Sequence, residues 1–224
     1  MTTRLLGFGG RTARITPGMC VGFAAIVGGI WLVQAIRPRT AMAFVQVTSD
    51  KTKITPEQLQ ARFPKEKHEE FMRRAIANSR KAGLEYKTGG TFGAVIVDKE
   101  GKVIADGMNH VVAQNDPTWH AEMHAIRVAC ALLKRFKLDG CILYTSAEPC
   151  PMCLATVYWA GLDGVFYAAT VADAKKYGNF DDEFIYGEFA KPKQDRLIAE
   201  QELLRSEAVE AWKDYYNRKD KVDY

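Results

Sequence analysis

His120-Ala121-Glu122 and, further along the chain, Pro149-Cys150-Pro151-Met152-Cys153 are the residue types from which a zinc centre is built. One imidazole and two thiolates fill three corners of a tetrahedral site, leaving the fourth for a water whose pKa the metal lowers to about 7. Glu122 stands two residues from that imidazole. A carboxylate there can handle the protons of the water, as an acid/base and not as a fourth ligand. Cys-x-x-Cys at a loop-to-helix junction can point both sulfurs at one ion, and the positive end of the helix favours the thiolate. Pro149 and Pro151 suit that junction, because proline presets the backbone for a turn or a first helical position.

Two other chemistries compete for the same residues. A Cys-x-x-Cys pair can be a redox dithiol, but that use has no need of a distant His-x-Glu, and the prolines favour metal. His124, one turn after His120, could instead close a Cys2His2 structural site with no open position. That arrangement would leave Glu122 without a task.

The elements that must position these groups follow from the pattern. Pro56 begins a helix-prone stretch running to about Ala82 and ending at Gly83. Phe92 to Val97 reads as a buried strand, paired through the turn Asp98-Lys99-Glu100-Gly101 with a second strand from Val103 to Gly107. His120 to Lys134 carries Ala121, Ala125, Val128, Ala129 and Leu132 at helical spacing. Cys141 to Thr145 is the next strand, Pro151 to Trp159 the next helix and Val165 to Ala169 a further strand. Tyr158 and Trp159 read as core, and Cys130 and Cys141 as small buried residues. Alternating strands and helices indicate an α/β layer fold with parallel pairing across the crossovers. The ligands then fall at helix N-termini, beside the C-terminal strand ends where open α/β sheets place their sites.

At 224 residues, 47% hydrophobic and 26% charged, the chain reads as one globular domain with an appendage at its front. Through Ser49 it carries five arginines and no acid, so the net charge of +4 leaves about −1 for all that follows. The basic excess is therefore not the footprint of a nucleic-acid-binding surface. Met19 to Ile36 is an apolar run behind Arg11 and Arg14, with Ala41-Met42-Ala43 as a small-x-small cleavage site. This predicts a leader over residues 1–43, a polar connector over 44–55 and the working domain over 56–224. The leader implies export or membrane anchoring, with organellar targeting as the alternative.

The stretch from Gly89 to about Phe189 resembles the cytidine deaminase superfamily, and within it the guanine deaminase family. The residues that carry the likeness are Asp116-Pro117-Thr118-x-His120-Ala121-Glu122, Tyr144-Thr145-Ser146-x-Glu148-Pro149-Cys150-Pro151-Met152-Cys153 and Phe180-Asp181-Asp182-x-Phe184-Ile185-Tyr186, with a similar tail from Ala211-Trp212 to Tyr224. The resemblance implies a three-layer α/β/α fold around a mixed sheet of about five strands. It implies one zinc per subunit on His120, Cys150 and Cys153, with Glu122 catalytic. Substrate contacts implied in the same way are Phe92, Asn109, Ala121 and an aspartate of the Phe180-Asp181-Asp182 turn. Asp182 is the better match there, and one extra residue near Asn179 leaves Asp181 open. Tyr224 would close the pocket in a homodimer, possibly domain-swapped. Trp119 departs from the pattern, placing a large indole where the family carries a small residue.

The activity implied is hydrolysis of guanine to xanthine and ammonia. A carboxylate can accept from N1–H and the 2-amino group together, a donor pair that adenine lacks. The alternatives are deamination of tRNA adenosine, of guanosine or of cytosine on the same metal site, and a non-catalytic zinc-stabilised module. Against the tRNA reading stand the near-neutral working domain and a tail of mixed charge.

Overall fold

The computed structural model describes residues 53–222. The leader, most of the connector and Tyr224 lie outside the described residues.

Four strands form one sheet in the order β2-β1-β3-β4: β1 (Gly93–Val97), β2 (Val103–Met108), β3 (Ile142–Ala147) and β4 (Gly164–Ala169). The sheet is mixed, with β1 antiparallel to both β2 and β3 and β4 parallel to β3. The crossover from β2 to β3 therefore does join parallel strands, but β1 lies between them. Among the described residues the sheet has four strands where about five were expected, because the chain beyond β4 turns helical. The β1–β2 turn is pinned by the Asp98 carboxylate, which accepts from the N–H groups of Glu100 and Lys102, and by Gly101 at φ +81°.

Helices cover both faces. On one, α2 (Lys65–Arg80) lays Phe71 and Ala75 against Val95, Val97, Ile142 and Tyr144. On the other, α4 (Ala121–Leu133) and α5 (Pro151–Ala160) pack Ala121, Ala125, Ala129 and Val157 against Ala94, Ile96 and Leu143. The two central strands are buried on both faces, which explains why they read as continuous apolar runs and not as alternating ones. Leu132 is exposed, not part of the α4 core face, and Ile126 takes its place.

The helix-prone stretch from Pro56 is interrupted. Helix α1 (Pro56–Gln60) stops short of Pro64, which cannot donate a helical hydrogen bond and instead stands at the N-cap of α2. At its far end α2 does not stop at Gly83 but widens into a π-helical turn over Lys81–Glu85. Gly83 serves close approach: a Cβ there would come within 2.2 Å of the Thr91 methyl. A single turn, α3 (Val111–Gln114), precedes α4. After β4 come α6 (Val171–Gly178), capped by a reciprocal Thr170–Asp173 box, α7 (Asp182–Ala190) and α8 (Arg205–Asn217).

Tyr158 and Trp159 are 68% and 59% exposed, so they are not core. Helix α5 is apolar nearly all round, so its apolar surface extends beyond the part that packs into the core.

Candidate zinc centre and its cavity

His120 and Cys150 occupy equivalent places, each the extended N-cap residue of a helix, His120 for α4 and Cys150 for α5. Cys153 lies within the first turn of α5, one helical turn after Cys150 and on the same face. His120 Nδ1 is 3.5 Å from Cys150 Sγ and 3.5 Å from Cys153 Sγ, and the three ligating atoms lie within 4.8 Å of one another. Ligands bound at about 2.0 Å (N) and about 2.3 Å (S) on a tetrahedral ion stand about 3.5 Å apart. The donor set and its spacing therefore fit zinc.

The two buried sulfurs compete for negative charge. A hydrogen bond from Cys153, with further help from His120, holds the Cys150 thiol down to about 4. The same bond to Cys150, reinforced by burial, pushes the Cys153 thiol up. A dication between two buried sulfurs relieves that competition, because both can then be thiolates.

Glu122 is buried at 3% exposure in the first turn of α4. Burial pushes its carboxyl up from the ordinary range. His124 is not part of the metal group: its Nδ1 lies 3.2 Å from the Met108 carbonyl oxygen and 3.3 Å from the Met108 nitrogen. The closed Cys2His2 arrangement is therefore not formed among the described residues.

Beside the three ligands a cavity of about 170 Å³ is lined by Gly90, Phe92, Asn109, Val111, Val112, His120, Glu122, Glu148, Cys150, Phe180 and Asp182. Phe92 and Phe180 meet edge to face with centroids 4.9 Å apart. Asn109 is buried, with its Oδ1 accepting from the Val111 N–H at 3.1 Å; its Nδ2 donors carry no bond within the described residues. Asp182 lines the cavity, and burial pushes its carboxyl up.

Two sequence-derived contacts fall elsewhere. Asp181 caps α7 by accepting from the Phe184 N–H and pairs with Lys175 at 3.1 Å, outside the cavity lining. Ala121 is buried against Gly107 and is not among the lining residues. Trp119 packs beside the site, its ring centroid 5.9 Å from those of both His110 and His124, and does not enter the cavity. Sequence reasoning missed Glu148, Val111, Val112 and Phe180 as lining residues. Glu148 and Phe180 lay in the quoted motifs, whereas the two valines carried no signal at all.

Residues 65–169 match the family model of the cytidine and deoxycytidylate deaminase zinc-binding region. The fold and the metal trio thus define a zinc-dependent aminohydrolase. Over 156 residues the chain is 49% identical to the guanine deaminase of Bacillus subtilis, an alignment spanning 68% of this chain and 98% of that protein. The X-ray structure of guanine deaminase from Bacillus subtilis superposes with a TM-score of 0.67 at 46% identity, covering 70% of this chain and 98% of that one. A tRNA-specific adenosine deaminase of Buchnera aphidicola is more distant, at 29% identity over 57% of this chain and 81% of its own length. The chain belongs to the guanine deaminase family.

That alignment corrects the expectation of export, membrane anchoring or organellar targeting. Nearly the whole of the Bacillus subtilis protein is matched by 68% of this chain, so the match requires no counterpart of the leader. No helix among the described residues is long and apolar enough to cross a membrane.

Proposed function

We propose that the chain hydrolyses guanine to xanthine and ammonia. The observation that carries the reading is Asp182, a carboxylate lining the same small cavity as His120, Glu122 and Cys150. At about 170 Å³ the cavity lies below the ~300–1,000 Å³ of drug-sized ligand sites, which favours a bare base over a nucleoside.

Zinc, when bound by His120, Cys150 and Cys153, supplies the Lewis acidity that makes water a nucleophile near neutral pH. Glu122 would accept one proton from the attacking water and pass it to the purine ring nitrogen, then accept the second from the same oxygen and pass it to the amino group, which leaves as ammonia. Its burial excludes bulk water from the transfer. Asp182 accepts from N1–H and the 2-amino group, and Asn109 donates from Nδ2. Phe92, held edge-on by Phe180, gives the base a face to stack on. A half-buried carboxylate facing adenine would be left without its donors, which penalises that base.

The working domain in this reading is residues 56–224, which acts as a homodimer. Support comes from the C-terminal segment, where Leu203, Trp212 and Tyr216 are 81%, 70% and 74% exposed, apolar surface that a second copy would cover. Tyr224, which the family resemblance implies as the residue closing the pocket, lies outside the described residues.

The test is ammonia release by the full chain, offered guanine, guanosine, adenine, cytosine and a tRNA in parallel. Turnover of guanine alone is expected. Turnover of the tRNA in its place, weakening steeply with salt, would replace this reading with the adenosine one.

A further inference from the structure

Glu148 is the cavity-lining carboxylate to which the reaction above gives no task. It sits on the turn between β3 and α5, immediately before Pro149-Cys150. Its position is fixed at two points: its N–H donates to the Ala169 carbonyl at 2.8 Å, and its Oε2 accepts from the Val171 N–H at 3.2 Å, at the start of α6. Its Oε1 carries no hydrogen bond within the described residues. A carboxylate so tethered loses little side-chain freedom on binding and keeps one acceptor unspent in a residue that lines the cavity.

A free purine base has one donor that its nucleosides lack, the imidazole-ring N–H, which glycosylation or N9-methylation removes. Asp182 and Glu122 are assigned to the six-membered ring and the reacting centre in the reading above. We propose that Glu148 accepts a hydrogen bond from the imidazole N–H of the bound base, and so selects free guanine over N9-substituted guanine. This rests on the guanine reading. Its physical ground is asymmetric: an N9-substituted ligand leaves a half-buried carboxylate oxygen without a donor, whereas the free base satisfies it.

Glu148→Gln keeps the size of the side chain but has a single oxygen, which the Val171 N–H claims, turning an NH2 toward the base. Binding of guanine and of 9-methylguanine to the zinc-loaded full chain is measured by calorimetry in a Glu122→Gln background, where guanine is not turned over, with position 148 either wild type or Glu148→Gln and zinc content determined alongside. With Glu148 in place the chain is expected to prefer guanine by about tenfold or more, the worth of a hydrogen bond to a charged group. That preference should collapse in Glu148→Gln at unchanged zinc content. Should the variant fail to fold, Glu148→Asp, which draws the carboxylate back by one methylene, is measured in its place and is expected to lose the same preference. Guanine binding with no preference, or a preference that survives Glu148→Gln as a purely steric one would, overturns this inference alone. Absence of guanine binding overturns the parent reading and this one with it.

Discussion

Gly107 of β2 lies so close to the Ala121 carbonyl of α4 that a Cβ on it would come to 2.0 Å from that oxygen, and to 2.8 Å from the Ala125 nitrogen. The contact is backbone against backbone, so no side chain can swing aside. It sets how deeply the first turn of α4, with His120 at its cap and Glu122 inside it, seats on the sheet. Gly107→Ala is expected to cost about 1–3 kcal/mol by overpacking, and to lower zinc occupancy because the cap moves relative to α5. Thermal unfolding and metal content of the variant check both; an unaltered metal content would show that α4 yields without moving His120.

A second prediction concerns the opposite face of the sheet. His68 Nε2 meets the Gln60 carbonyl at 3.0 Å, so it carries the proton; His68 Nδ1 must then accept from the Tyr144 hydroxyl at 2.7 Å. The two rings pack with Phe166, which stacks on Tyr144 at 5.1 Å. Tyr144→Phe leaves a buried imidazole nitrogen without its donor and is expected to cost about 1–3 kcal/mol of stability. Zinc content should be untouched, since the pair lies on the α2 side of the sheet. Denaturant unfolding of the variant measures the first, and metal analysis the second.

The acid limit of stability should carry a contribution from Asp106. Its carboxylate receives two bonds from Arg74, at 2.7 and 2.6 Å, and one from Asn78 at 2.7 Å, and the Arg74 bond is the main reason its carboxyl is held below the ordinary range. A folded-state pKa below the unfolded value of about 3.9 stabilises above that value, and the gain is lost as pH falls through the lowered one. The pair is half exposed, so the contribution is about 1 kcal/mol or less. Arg74→Met should lower stability at neutral pH and flatten its fall below about pH 4. Parallel slopes for the two proteins in that window would remove Asp106 from the acid response.

Trp119 presents the reverse situation. Its Nε1 is buried and finds no acceptor among the described residues, while its ring packs on His110, His124 and, at 5.9 Å, the Arg127 guanidinium. Replacing it with phenylalanine removes an unpaired donor but keeps an aromatic ring, so Trp119→Phe is expected to change stability by no more than about 1 kcal/mol in either direction. A loss of several kcal/mol on thermal unfolding would mean that the indole N–H has a partner.

What the sequence made legible is what local rules control. The metal trio was readable because two short motifs each place ligands on a helix cap and first turn, and the assembly of both caps at one sheet edge follows from strand–helix alternation. The β1–β2 hairpin was readable from Asp98 and Gly101, whose turn chemistry is local. Glu148 was not, because its acceptor role depends on the start of α6 coming to the end of β3, a meeting of residues 23 apart that no spacing rule encodes. The aspartate choice was likewise tertiary: only the turn of α7 separates Asp181 at its cap from Asp182 in the cavity. Tyr158 and Trp159 misled because an all-apolar helix signals burial on every side, whereas these two side chains of α5 stay largely exposed.

Deamination of guanine is proposed to need the zinc trio His120, Cys150 and Cys153, Glu122 as proton carrier and Asp182 to read the base. The most direct measurement is the rate of xanthine formation from guanine by the wild type, Glu122→Gln and Asp182→Asn at matched zinc content. Glu122→Gln is expected to lose at least about 10²-fold in kcat, the usual worth of a general acid/base, and Asp182→Asn to lose guanine kcat/KM by a comparable factor. Rapid xanthine formation by Glu122→Gln with its zinc in place would contradict it.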